Sequence, residues 1–162
     1  MKDVLTTETA RIADQLRRAC EGDAWHGPSL RELTQGLGAT EAAARPLPGA
    51  HTIWEIVHHI AAWEDAVRRR LGEESVSLDG EADWPPVREV SEAAWRATLA
   101  RLESGNRRLR EAIAGFPAER LDEVRPDSGQ TYYLLMHGLI QHDIYHAGQI
   151  GLLKKLVAGA SR

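Results

Sequence analysis

The chain has a single cysteine, no excess of positive charge and no long apolar run among its 162 residues. With only Cys20, an intramolecular disulfide is excluded, and the composition fits a reducing compartment. No window approaches the roughly 18 consecutive apolar residues of a membrane-spanning helix, and the first residues lack the apolar segment of a secretory leader. The net charge of −4 provides no basic field for nucleic acid or anionic lipid. We therefore expect a soluble cytoplasmic protein that binds neither membranes nor nucleic acid.

Apolar residues recur at helical spacing in four long segments, and no segment shows the alternating period of a β-strand. The length fits one domain over residues 1–162, large enough to bury its own core. The four segments are approximately Val4–Glu21, Thr52 to the residue before Gly72, Ser91–Phe116 and Thr131–Val157. This pattern predicts an all-α fold, a four-helix bundle with a long first crossover.

Capping residues indicate where these helices begin and end. Thr52, with Glu55 three residues later, has the spacing of a capping box, and Ser91 is an N-cap candidate for the third helix. Pro117 is expected to stop that helix, because proline cannot continue a helix interior.

Two connections separate the first three helices. The first, residues 22–50, is rich in glycine and proline and has room for short helices over Leu30–Thr34 and around Thr40–Ala44. The second, Ser75–Val90, is expected to be irregular. Long crossovers of this kind are typical of bundles that are not simple up-and-down hairpins.

Two histidines of the fourth segment are spaced for metal binding. His142 and His146 are four residues apart, so they project from one helix face, within the apolar stripe between Leu139 and Ile150. Imidazoles that face a bundle interior are costly unless each nitrogen has a partner. A shared divalent transition metal would satisfy both rings, and so would hydrogen bonds to carbonyl or hydroxyl oxygens. The spacing alone leaves both interpretations open.

The second segment offers a third ligand, because one of its two adjacent histidines faces the apolar stripe. At about 100° per residue, His59 lies within about a right angle of the stripe's centre, between Ile56 and Val67, whereas His58 points nearly opposite. We therefore predict that His59, and not His58, reaches the interior. Three histidine nitrogens would leave an open coordination position, as in catalytic metal sites.

The remaining histidines are not predicted as ligands. His137 is about 140° from His142 around the fourth helix, which favours a packing or surface role. His26 and His51 lie in loop-like segments, and nothing in the sequence connects them to the site.

Four further polar residues have open roles. Asp143 and Glu64 could act as a base or support a ligand, although solvated surface charges are the simpler interpretation of both. Tyr145 could reach a metal-bound ligand or be buried in the bundle. Asn106 interrupts the apolar stripe of the third segment, where it could line a cavity or fix the helix register; we favour the register role.

Two segments of the chain resemble a known family. They are HTIWEIVHHIAAWEDAV, which starts at His51, and LLMHGLIQHDIYHAGQIGLLKK, which starts at Leu134. Together with RPLPGAHTIWE and DWPPVREVSEAAW, they are similar to the DinB-like superfamily, including its YfiT-type metal-dependent branch. The resemblance covers roughly residues 40–157, and the motif H-x-x-x-H-A-G-Q-I is its most specific part.

The resemblance implies a four-helix bundle, often dimeric, with nickel or zinc held by one histidine of the second helix and two of the fourth. By motif position these are His59, His142 and His146, the same three that the helix geometry favours. Characterised relatives include transferases that use low-molecular-weight thiols and a maleylpyruvate isomerase, so a thiol cofactor is also implied.

From these features we expect a metal-dependent enzyme, either a thiol-dependent S-transferase or a hydrolase, acting on a small electrophile. A bound divalent ion lowers the pKa of water to about 7, and the residues identify no general base. The alternative is a non-catalytic, metal-binding dimeric bundle that binds a small ligand or a partner. We predict a homodimer, because Trp54, Ile140 and Ile144 lie off the core stripes, unless the crossover loops cover them.

Overall fold

The computed structural model describes residues 7–160 of the chain, and within this range it confirms the all-α prediction. An isolated bridge between Val124 and Thr131 is the single β-type pairing of these residues. None of the described helices is long and apolar enough to cross a bilayer. The helices are α1 (Glu8–Glu21), α2 (Leu30–Thr34), α3 (Ala39–Ala43), α4 (Ile53–Leu71), α5 (Gly80–Asp83), α6 (Glu92–Ala114) and α7 (Tyr132–Ala160), with a 3₁₀ turn at Ala118–Arg120.

The four long helices pack side by side around one core. Helix α4 packs against α6 and α7, and α1 packs against the same two helices, which closes the bundle. Each helix contributes a completely buried aliphatic side chain to the centre: Leu16, Ile60, Leu109 and Ile150. Burying side chains of this size stabilises the fold by about 1.5–3 kcal/mol each.

The predicted caps set most of the helix boundaries. The Thr52 hydroxyl accepts a hydrogen bond from the Glu55 N–H (3.1 Å), and the Glu55 carboxylate accepts one from the Thr52 N–H (2.8 Å), so the capping box is confirmed. Helix α6 ends earlier than Pro117 predicts. Gly115 is its C-cap, with an N–H that bonds to carbonyls of the last turn.

The connections contain three short helices, of which two were expected. Helices α2 and α3 lie where the sequence predicts them, to within one residue. Helix α5 was missed, because its four residues bury no side chain and so leave no periodic pattern. The predicted first residue of α1, Val4, lies outside the described residues, and Thr7 caps the described helix through its hydroxyl.

The residues proposed to lie off the core stripes are covered within the chain. Trp54 is 1% exposed: its ring packs on Trp95 with centroids 5.0 Å apart, and its indole N–H donates to the Thr98 hydroxyl (3.0 Å). Ile140 is also buried, and Ile144 is half-buried against the core. The prediction of a dimer from these three apolar residues is therefore wrong in its premise, because they are not left exposed. A helix that packs against two neighbours buries a wider arc than one stripe.

Candidate metal centre

The structure brings together the three histidines that the sequence singled out. His59 on α4 faces His142 and His146 on α7, and one ring nitrogen of each lies within 4.8 Å of the others. The Nε2 atoms of His59 and His142 are 2.9 Å apart. Two nitrogens that each lie about 2.1 Å from a common ion, at an angle near 90°, would be about 3 Å apart. The trio is therefore a possible metal site.

The outer nitrogen of each ring is held by an oxygen. The Nδ1 of His59 lies 2.8 Å from the carbonyl oxygen of Asp83, and that of His146 lies 2.7 Å from the amide oxygen of Gln149. The Nδ1 of His142 is 3.3 Å from Asp143 Oδ1. An oxygen acceptor places the proton on Nδ1, which leaves the Nε2 lone pair free for a ligand.

This donor set suits a divalent transition metal. Two neutral Nε2 lone pairs 2.9 Å apart repel each other unless a cation or a proton lies between them. Three neutral imidazoles with oxygen-bound outer nitrogens are typical ligands of zinc, nickel, copper and iron. The residues present therefore fit such an ion, while its binding and identity stay predictions.

Burial keeps the three rings neutral. The side chains of His59 and His146 are almost completely buried, and that of His142 is 23% exposed. Loss of water lowers the pKa of all three, and for His146, where the neighbouring histidines also contribute, it lowers the pKa to about 4. A neutral imidazole is the form that binds a metal, so the site is prepared for one at neutral pH.

Indole rings enclose the trio on the α4 side. Trp84 stacks on His59 with centroids 3.8 Å apart, and His51 stacks on Trp84 at 3.5 Å, so that Trp84 lies between two imidazoles. Trp63 donates its indole N–H to Asp83 Oδ1 (2.7 Å). His51, which the sequence connected to nothing, is thus joined to the site through Trp84.

Asp83 was missed by the sequence prediction, although it orients two residues of the site. Its backbone carbonyl holds His59, and its carboxylate accepts from Trp63. A backbone carbonyl is present in every residue, so no side-chain pattern could have revealed this contact. The DWPP segment contributed to the family resemblance, but no role was predicted for its residues.

The histidines that were not predicted as ligands lie outside the trio. His58 is half-buried rather than exposed: Nδ1 lies 2.9 Å from the Pro85 carbonyl oxygen, and Nε2 accepts from the Trp54 indole (3.1 Å). His137 is half-buried against the Tyr133 ring, with centroids 4.3 Å apart. His58 therefore supports the packing of α4 on the connection that follows α5.

A polar cluster lies in the core directly behind the histidines. Glu64 and Asp143 are completely buried, so their interpretation as surface charges is wrong. Asn106 donates from Nδ2 to Glu64 Oε1 (2.6 Å) and to Cys20 Sγ (2.9 Å). Burial raises the pKa of both Glu64 and Asp143, and for Glu64 the charge of Asp143 adds to the effect. Burial therefore favours the protonated form of both carboxyl groups.

The structure gives contacts for Tyr145 and Asn106, the two other polar residues whose roles the sequence left open. Tyr145 is 65% exposed, so it is not a buried bundle tyrosine; its hydroxyl accepts from Gln149 Nε2 (3.2 Å) and its ring meets the edge of His146. Asn106 both anchors the core cluster and lines a cavity between α1, α2 and α6.

Two cavities reach the histidine trio from different sides. The first, of about 500 Å³, lies between α4 and α7 and ends on His142; we call it the His142 cavity. The second, of about 400 Å³, is lined by His59, His146, Trp84 and Tyr145; we call it the His146 cavity. Both volumes fall in the range of small-molecule sites.

The fold and the site together define a class of protein: an all-α bundle with a possible three-histidine metal site between two helices. In a comparison with protein-family models, residues 24–150 match the DinB superfamily. This match spans most of the chain, so the protein belongs to the DinB superfamily. Neither curated proteins nor solved structures gave a match.

Proposed function

We propose that the protein is a metal-dependent enzyme that transfers a low-molecular-weight thiol to a small electrophile, with His59, His142 and His146 as the metal ligands. The observation that carries the proposal is the shared orientation of the three rings, each with its outer nitrogen bonded to an oxygen. Nickel or zinc held there would act as a Lewis acid that lowers the pKa of a thiol or of water to near neutral.

The residues around the trio position it and limit its contact with water. Asp83 and Gln149 fix two imidazole tautomers through their oxygens. Trp84 covers one face of His59, which keeps that ring in a single orientation. Partners of this kind outside the ligand shell commonly contribute 10–100-fold to metal affinity, as an order of magnitude.

The two cavities favour transfer between two small molecules over hydrolysis of one. The His142 cavity is lined by one member of the trio and the His146 cavity by the other two, so two molecules can approach the same centre. A hydrolase, the second version of this proposal, needs room for one organic substrate and water. Neither cavity contains a group that we assign as the general base.

Metal analysis of five single variants tests the ligand assignment. His59→Ala, His142→Ala and His146→Ala should each lose the ion, because two imidazoles remain. His58→Ala and His137→Ala, which remove histidines outside the trio, should keep about one ion per chain. Protein purified without a histidine tag and analysed by mass spectrometry for metals gives the answer. Retention by His59→Ala with loss by His58→Ala would contradict the assignment.

Turnover tests the catalytic part. The metal-loaded protein is assayed with a panel of cofactor-type thiols and small electrophiles, with His142→Ala as the matched control. We expect product with the wild type and none above background with the variant. Stoichiometric metal without turnover of any pair would favour the non-catalytic alternative.

The alternative is a metal-binding dimer without catalysis, and one surface favours dimer formation. Leu134, Tyr145, Leu152 and Leu156 lie on one exposed face of α7, at positions that repeat within about 40° around the helix. A face of this kind suits a twofold contact between copies. Because Leu134 lines the His142 cavity and Tyr145 and Leu152 line the His146 cavity, a homodimer through this face would cover both cavities, and we therefore propose it for the non-catalytic function.

A further inference from the structure

The His142 cavity has an unusual distribution of charge. Its lining combines the apolar side chains of Val67, Leu135 and Leu139 with two arginines, Arg70 and Arg125. Within residues 7–160, Asp127 is the single carboxylate that lines the cavity. The charged side chains that line this cavity, two arginines and one aspartate, therefore carry one excess positive charge.

Arg125 is fixed in place before any ligand binds. It is 4% exposed, and its Nη2 donates to both carboxylate oxygens of Asp127, the longer contact being 2.7 Å. Its backbone N–H bonds to the Gln130 carbonyl oxygen (2.9 Å), which ties the loop before α7. Because one nitrogen serves both oxygens of Asp127, the other donors of the guanidinium remain for another acceptor.

Arg70 lies near the Trp63 ring, which in turn lies near His142. Its Nε and Nη2 donate to the Val76 carbonyl oxygen (3.1 and 2.6 Å), and its guanidinium lies 5.3 Å from the centre of the Trp63 ring. The Trp63 ring is 5.6 Å from His142. About one indole ring therefore separates Arg70 from His142, the proposed metal ligand.

The two arginines repel each other in the protein alone. Burial, and then the positive charge of Arg125, lower the pKa of Arg70, while Asp127 offsets part of this effect. The nearby Glu73 and Glu123 are paired with Arg120, at 2.8 and 2.7 Å, and Glu74 with Arg69. An anion in the cavity would relieve the repulsion and form charge-assisted hydrogen bonds.

We propose that the His142 cavity binds a small carboxylate, with the carboxylate on Arg70 and Arg125 and the apolar part of the molecule on Val67, Leu135 and Leu139. The inference rests on the proposed function for its last step, the approach of the reactive end of that molecule to His142. One excess positive charge matches a monoanion better than a phosphate, which carries about −1.5 to −2 at neutral pH. The substrate is thus a small acid that carries its reactive atom at the end away from its carboxylate.

Binding of simple probes tests the inference without turnover. The probes are 3-phenylpropionate, its neutral amide and phenyl phosphate, titrated by calorimetry into the wild type, Arg70→Gln and Arg125→Gln. The matched control is Arg68→Gln, which removes an arginine of the same helix that pairs with Asp65 and does not line the cavity. Thermal unfolding of each variant shows which of them fold, and Arg70→Gln suffices if the more deeply buried Arg125 tolerates no substitution.

We expect the wild type and Arg68→Gln to bind the carboxylate about tenfold or more tightly than the amide, and the Arg70 and Arg125 variants to lose this preference. Equal binding of carboxylate and amide by the wild type, or an unchanged preference in Arg70→Gln, would overturn the proposal. Tighter binding of phenyl phosphate would overturn the choice of a carboxylate. Repeating the titrations with His142→Ala separates the two proposals, because carboxylate recognition should survive loss of the metal.

Discussion

Replacement of Glu64 by glutamine probes the protonation of the buried cluster behind the metal centre. Glu64 is completely buried, and burial raises its pKa well above its usual 4.5, with the charge of Asp143 adding to the effect. Glutamine has nearly the same shape, keeps an oxygen to accept from Asn106 and never ionises. The variant therefore removes the titration and leaves most of the packing.

The sign and size of the effect follow from linkage between protonation and folding. Because the pKa is higher in the folded than in the unfolded chain, the wild type loses stability as pH rises above about 4.5, until the folded group ionises. The slope is at most about 1.4 kcal/mol per pH unit. Between pH 5 and pH 7 the variant should therefore gain up to about 3 kcal/mol relative to the wild type.

Urea unfolding at a series of pH values, on metal-free protein, measures this difference. The matched control is Glu55→Gln on the same helix, whose carboxylate has a lowered pKa: burial opposes the shift, but the Thr52 N–H and Arg45 outweigh it. Its contribution is constant above about pH 4.5 and is lost as pH falls below that value, so the control should differ from the wild type by a constant amount between pH 5 and pH 7 and should approach it at lower pH. Parallel curves for the wild type and Glu64→Gln would refute the argument that Glu64 is protonated in the core.

Three further predictions concern the site and the surface. Gln149→Ala removes the acceptor of His146 Nδ1 and should weaken metal binding about 10–100-fold; unchanged affinity in a competition titration with a chelator would contradict the role of Gln149. Metal affinity should fall as pH drops below about 6, and further near pH 4, where burial has placed the pKa of His146; a pH-independent affinity would exclude histidine ligands. Leu152→Asp should convert a dimer into a monomer in light scattering, and a monomeric wild type at micromolar concentration would refute the α7 contact.

Much of the fold was predictable because local rules determine it. The capping box of Thr52 and Glu55 begins α4 where the sequence indicates, since both partners lie within one turn. The choice between His58 and His59 was also local, because about 100° of rotation per residue separates adjacent side chains. The inward position of His59 agrees with that prediction, and its metal-binding role awaits the variants.

The errors arose where contacts join residues distant in the chain. Trp54 was assigned to the surface because only one stripe of α4 was expected to be buried. In the structure α6 covers a second part of the α4 surface, where Trp95 packs on Trp54. Glu64 and Asp143 were predicted to be exposed because they are charged residue types. The sequence does not distinguish a buried carboxyl group from an exposed one.

The sequence by itself determined the helices, their inward faces and three histidines able to meet, because helix periodicity and capping act over only a few residues. Tertiary structure alone decided what surrounds them. It placed the Asp83 carbonyl on His59, Trp84 between two imidazoles, and Arg70 beside Arg125 in one cavity. These contacts depend on how the crossover segments fold back onto α4 and α7, which is settled by packing across the whole bundle and leaves no periodic signal in the chain.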